Sequence, residues 1–254
     1  MWERKELKAK GKAAFKANYW KCVLVAFILV ALVGGGVASS QVGSEPADGV
    51  PQEATAFLEE FNAAPEEAQR AIAQSLLAML AGFTAVGAVI SCVINLLVIN
   101  PLAVGGSRFF LANSAEPAGL GELGYGFKKG YGRVVAGMFL TSLFTFLWSL
   151  LLLVPGIIKA YSYRMVPYIL ADDPSIGGKD AITRSREMMN GQKWNTFVLD
   201  LSFLGWWLLA CVTLGFAGVF WVSPYIEATN AELYKALKGE PETVEELEAP
   251  EAAE

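Results

Sequence analysis

The 254-residue chain contains no histidine. That absence excludes His-dependent triads, facial-triad iron, haem held by histidine and the usual catalytic zinc sites. Cysteine is scarce as well. Cys22, Cys92 and Cys211 all lie inside apolar windows, and none is at C-x-x-C spacing. They read as small buried hydrophobes. P-loop, dinucleotide fingerprint, nucleophile elbow and H-E-x-x-H patterns are all missing. The sequence therefore leads us to expect no catalytic residue, no metal, no cofactor and no nucleic-acid partner, and it reads as a non-enzyme.

Apolar length is what the chain has in abundance. Hydrophobic residues make up 54% of it, against roughly 45–50% in an ordinary soluble domain. They cluster in four windows: Cys22–Ala38, Leu76–Ile99, Val134–Val154 and Phe197–Val222. None shows the polar face that a soluble core helix keeps at period 3.6. About 20 such residues cross a ~30 Å hydrocarbon core. The expected fold class is all-α, a polytopic bundle of six transmembrane helices with an N-terminal amphipathic helix.

Charge is distributed unevenly. Residues 1–21 carry Arg4, Lys5, Lys8, Lys10, Lys12, Lys16 and Lys21 against Glu3 and Glu6. Leu7, Gly11, Phe15 and Tyr19 recur at four-residue spacing, so residues 1–19 read as a basic interfacial helix. It is expected to meet anionic inner-leaflet lipid through Lys5, Lys8, Lys12 and Lys16. A signal peptide is the rival reading, but its basic region would be long and its cleavage site lacks A-x-A. Residues 239–254 hold seven glutamates and no basic residue, and read as a disordered, solvated tail.

The positive-inside rule then orders the membrane domain, 20–238. The loop 40–73 is acidic and belongs outside; 102–133 is basic and belongs inside. The stretch after Pro155-Gly156 is short for a span. If it crosses, Lys179, Arg184, Arg186 and Lys193 stay inside, so charge favours crossing; a re-entrant segment is the alternative. Asn195–Trp221 is too long for one span, and Thr213-Leu214-Gly215 offers a turn. Spans of about 20–39, 76–100, 134–154, 156–171, 195–212 and 214–234 satisfy every loop. Both termini are then cytoplasmic in a multi-pass protein of the plasma membrane. An amphipathic cytoplasmic helix is expected over 175–190, with Asp172-Asp173-Pro174-Ser175 as its turn rather than a metal site.

This topology brings three charges to similar depth: Arg164, Asp200 and Glu227. A lone charge in hydrocarbon costs several kcal/mol, so Arg164 is expected to pair with Asp200, Glu227 or both. Such a pair either fixes helix packing or forms a transport or ligand site. Lys159 is expected to snorkel at the outer end of its span. With Tyr161 and Tyr163 it is also a candidate polar lining, although Tyr161, Tyr163 and Tyr168 read first as aromatics facing the bundle. Gly34-Gly35-Gly36, Ala78 and Gly82 are placed where helices could approach closely.

The run VPGIIKAYSYRMVPYILADDP, then DAITRSREMMNGQKWNTFVLDLSFLGWWLL, then TLGFAGVFWVSPYIEATNAELY, resembles the DUF975 family of bacterial integral membrane proteins. ELKAKGKAAFKANYW is similar to that family's opening, so the resemblance runs from about Glu6 to Tyr234. P-G-I-I and R-S-x-x-M-x-x-G-x-K more distantly resemble membrane domains attached to some glycerophosphodiester phosphodiesterases. The resemblance implies a membrane location and a helical bundle, and supplies no catalytic residues. The expected function is a membrane scaffold, or an organiser of lipid and envelope components. The alternative is a transporter or exporter component using the Arg164, Asp200 and Glu227 cluster.

Overall fold

In the computed structural model, residues 2–38, 60–128 and 130–239 are described, and among them the ordered elements are all helical. The tail 240–254 and residues 40–59 of the acidic loop lie outside the described residues. The chain forms two compact units, one of residues 33–95 and one of residues 1–32 with 96–254.

The smaller unit contains α3, Glu66–Ile94. Pro65 precedes it and Glu66 and Glu67 open it, the charge that a helix N-terminus favours. It buries no residue, and a side chain at Gly82 would meet nothing within 4 Å. Among the described residues, Gly82 is therefore not a site of close helix approach.

The larger unit begins with α1 (Arg4–Ala17) and α2 (Tyr19–Ala38), which meet at a bend of 102°. Asn18 sits in the bend. Its side chain donates to Asn113 Oδ1 at 2.7 Å and to the Ala118 carbonyl at 2.9 Å. Asn113 in turn donates to the Ala14 carbonyl at 2.9 Å. Asn113 thus satisfies one carbonyl that the end of α1 leaves open, and Asn18 ties the bend to the Asn113 side chain and the Ala118 carbonyl. Then come α4 (Asn100–Asn113), a 3-10 turn (Leu120–Gly124) and α5 (Tyr125–Lys128).

Next, α6 (Tyr131–Leu151) and α7 (Leu153–Tyr163) form a tight helical hairpin. Its break is at Leu152, in extended backbone at φ −159°, not at Pro155-Gly156 as the sequence suggested. Pro155 lies in the first turn of α7, where its missing N–H has no intrahelical partner to lose. Gly156 lets the two arms touch: a Cβ there would fall 2.7 Å from Ser149 Cα.

The expected fourth span is also interrupted. After α7 the backbone turns at Arg164-Met165, and α8 runs Val166–Asp172 with Pro167 in its first turn. Pro167 offers no N–H to the preceding turn, so one straight helix cannot continue through it.

The helix expected over 175–190 is α9, Gly178–Met188. It packs within the bundle instead of lying apart from it. Ala181, Ile182 and Ser185 are buried, and a Cβ on Gly178 would fall 2.6 Å from Gly137 Cα of α6.

The last window makes a second hairpin. Its first arm is α10 (Lys193–Leu201) with α11 (Leu204–Val212). It turns at Thr213–Gly215, where Leu214 and Gly215 have φ of 51° and 89°. The return arm passes a π-turn (Gly218–Val222) into α12, Ser223–Lys238.

Large side chains sort cleanly along this unit. Phe109, Met165, Ile169, Leu199, Phe203 and Tyr234 form one buried core. Exposed large apolar residues gather on α2 and on the two hairpins. Three helical stretches, Glu66–Asn113, Tyr131–Leu151 and Lys193–Val212, are long and apolar enough to cross a membrane. The count is four if the bent pair α1/α2 is taken as one. Such helices suggest a membrane-embedded protein.

Candidate functional site: a polar seam between parallel helices

Arg164 occupies the break between α7 and α8. Its Nη2 donates to Asp200 Oδ1 at 2.8 Å, and its Nη1 donates to Asp200 Oδ2, so the guanidinium grips the carboxylate with both prongs. Arginine's planar fork suits that geometry. Nη2 also reaches Asn230 Oδ1 at 2.8 Å, and the Tyr161 hydroxyl donates to Asp200 Oδ2 at 2.8 Å. The charge therefore has its counter-charge and two neutral partners.

Glu227 does not join that ion pair. Its Oε2 accepts the Tyr168 hydroxyl at 3.0 Å. Tyr168 stacks on Tyr234, whose hydroxyl donates to Asp172 at 2.9 Å. Lys238 closes the row on Asp172 at 2.8 Å.

These contacts form a seam. Arg164, Tyr168 and Asp172 face Asn230, Tyr234 and Lys238, each pair 66 positions apart. A constant offset means that α7–α8 and α12 run in the same direction. Positions 161, 164, 168 and 172, like 227, 230, 234 and 238, step by three or four and so share one helix face. Tyr161 and Arg164 meet Asp200 on the other side, which brings in α10.

A second polar contact holds the break itself. Ser185 of α9 donates its hydroxyl to the Ser162 carbonyl at 2.8 Å and accepts the Met165 N–H at 3.2 Å. Ser185 is completely buried. Met165 N and Ser162 O are the backbone groups that flank Arg164, so α9 splints the interruption.

The remaining candidates separate. Lys159 Nζ lies 4.7 Å from the centre of the Trp148 ring, on the opposite arm of its own hairpin. Tyr161 is in the cluster, and Tyr163 is buried in the core. Among the four lysines expected at lipid, Lys5, Lys12 and Lys16 are exposed. Lys8 turns inward: its Nζ is 3.2 Å from the carbonyl and from the hydroxyl of Ser202, and 4.2 Å from the Phe203 ring centre. Burial, then the Arg4 charge, pushes its pKa below the usual 10.5. The apolar stripe of α1 is likewise buried in the protein. A Cβ on Gly11 would fall 2.9 Å from the Thr229 backbone, and Phe15 meets Trp221 edge-on at 5.2 Å.

Asp173 serves the turn. Its Oδ1 accepts the Ser175 N–H at 2.8 Å together with the Ser175 hydroxyl. Among the described residues no group of three metal-ligating side chains comes together. Asn230, Ser162, Ser185 and the Asn18/Asn113 pair were not singled out by sequence reasoning. The three-and-four spacing of polar residues on 227–238 was the signal available for Asn230.

No curated protein and no solved structure gives a match. The family model described as "Protein of unknown function (DUF975)" matches residues 131–240. That stretch holds both hairpins, α9 and the whole seam, and excludes the α1/α2 elbow. Over residues 131–240 the chain is similar to the DUF975 family, in agreement with the resemblance read from its sequence.

Proposed function

We propose that the protein is a non-catalytic scaffold of the cell membrane that organises lipid or envelope components. Both termini are cytoplasmic in this reading. The observation that carries it is the pairing of the Arg164 charge: the guanidinium grips Asp200 with both prongs and also donates to Asn230. A charge with its partners already supplied by the chain fixes helix register and has little left for a passing substrate. The exposed Lys5, Lys12 and Lys16 on α1 suit anionic inner-leaflet lipid. A crevice of about 270 Å³ lined by Trp20, Val23, Leu24, Phe27, Val219 and Phe220 is apolar, which suits an acyl chain rather than a solute.

Transport is the second reading, and one observation favours it. The helix is broken beside Arg164, and interrupted helices with charged residues are how many transporters build their sites.

Purification in native lipid discs, followed by mass spectrometry of retained lipids and proteins, separates the two. A reproducible retained set is expected. A preparation without one that drives an ion or proton flux across vesicles, abolished by Arg164→Gln, would overturn the scaffold reading.

A further inference from the structure

Both hairpins end in turns without a charged side chain. From Leu150 to Ile158 the first tip reads LLLLVPGII, with no polar side chain, and Leu152 is 63% exposed. The second tip reads VTLGFAG, and Leu214 is 90% exposed. A loop emerging into water between two spans has no reason to present only leucine, valine, isoleucine and phenylalanine.

The backbone at the second tip is satisfied internally. Gly215 N–H returns to the Ala210 carbonyl at 2.8 Å, Leu214 N–H to Cys211 at 3.2 Å and Phe216 N–H to Thr213 at 3.1 Å. The Thr213 hydroxyl donates to Leu209 at 2.9 Å and accepts the Ala217 N–H at 3.0 Å. Hydrocarbon demands this accounting, because it offers no hydrogen bonds, and water does not. At the first tip Leu152 N–H bonds Trp148, Pro155 has no N–H, and Gly156 N–H returns to Leu152.

Length points the same way. The constant offset along the seam places both tips at the same end of the unit. Leu152 is twelve residues from Arg164, and Leu214 is twelve from Ser202, where Lys8 of the basic helix docks. At 1.5 Å per residue each hairpin projects ~18 Å beyond the charged layer. The hydrocarbon core is ~30 Å thick. Lys159 lies within this projection, where the Trp148 ring face offsets part of its desolvation.

We infer that the two hairpins turning at Leu152 and at Thr213–Gly215 end inside the hydrocarbon, beyond the bilayer midplane, so that acyl chains and not water surround both tips. Every basic loop keeps its side of the membrane, because the tips replace only the two smallest outer loops of a six-span topology. The inference goes beyond the scaffold reading and stands or falls separately from it.

The test uses the full chain with Cys22, Cys92 and Cys211 changed to alanine and a single cysteine placed by Leu152→Cys or Leu214→Cys. A sulfonated, membrane-impermeant maleimide is applied to sealed and to opened membranes, with Asn190→Cys as the accessible control. Both tips are expected to stay unlabelled in both preparations while the control labels on opening. A bimane on each tip, in vesicles of phosphatidylglycerol and phosphatidylethanolamine, is expected to be quenched several-fold more by lipids brominated near the chain end than near the headgroup. Labelling of either tip from outside, or stronger quenching by headgroup-proximal bromine, would overturn the inference. If a tip variant fails to fold, Leu151→Cys and Phe216→Cys report nearly the same depths one and two residues away.

Discussion

Ser185 donates its hydroxyl to the Ser162 carbonyl at 2.8 Å and takes the Met165 N–H in return, from a helix that follows them in sequence. Both backbone groups are orphaned by the interruption at Arg164. Ser185→Ala leaves them buried without a partner, which costs ~1–3 kcal/mol. Thermal unfolding in detergent, followed by circular dichroism, should show that loss. Ser185→Thr should lose less, since it keeps the hydroxyl. Equal losses for the two variants would mean that packing, not the splint, holds the break.

The Arg164–Asp200 pair makes a separate prediction. Removing one partner strands a largely buried charge, so Arg164→Gln and Asp200→Asn should each destabilise by about 3–5 kcal/mol. Replacing both, by Arg164→Met with Asp200→Leu, should cost less than either single change, because no charge is left unpaired. If the double variant loses the sum of the two single losses, the residues are not coupled.

Gly11 sets how closely α1 approaches α12. A Cβ there meets the Thr229 backbone at 2.9 Å, and backbone cannot rotate away. Gly11→Ala should raise local helix propensity yet destabilise the docked state by about 1–3 kcal/mol. Proteolysis of α1 in detergent should accelerate. Unchanged protection would show that α1 docks elsewhere.

The turn into α9 predicts an acid effect. Donation from the Ser175 hydroxyl and amide holds the Asp173 carboxyl below its usual 3.8. A depressed folded-state pKa stabilises fully above 3.8, and that contribution is lost as pH falls through the folded value. Asp173→Asn should therefore flatten the acid limb of stability against pH, lowering stability at neutral pH and leaving strongly acid pH little changed. A wild-type profile with no slope below pH 4 that Asp173→Asn removes would contradict this.

The large divisions of the chain were legible because hydropathy and loop charge act at the scale of whole helices. The turn at Thr213–Gly215 falls where its glycine allows a positive φ. Positions set by pairwise packing were less legible. Pro155-Gly156 looked like a break, yet proline fits a first turn, and the chain bends at Leu152. Arg164 needed a carboxylate, but charge and depth did not distinguish Asp200 from Glu227. The choice followed from which helix faces α7 at that level, and from Tyr168 occupying Glu227 first. Ser185 was invisible because nothing local marks a serine that serves another helix.

The docking of α1 on α12 also constrains the order of assembly. Gly11 leaves the ribosome long before its neighbour Thr229, 218 residues later. At ~5–20 residues per second the interval is on the order of 10–45 s. Through that time α12 is not there to cover Leu7 and Phe15, and a basic amphipathic segment in that state is held at the lipid boundary. The clasp between the two ends of the unit is therefore among the last contacts made. Until it closes, newly made chains present an open N-terminal arm to whatever quality control inspects them.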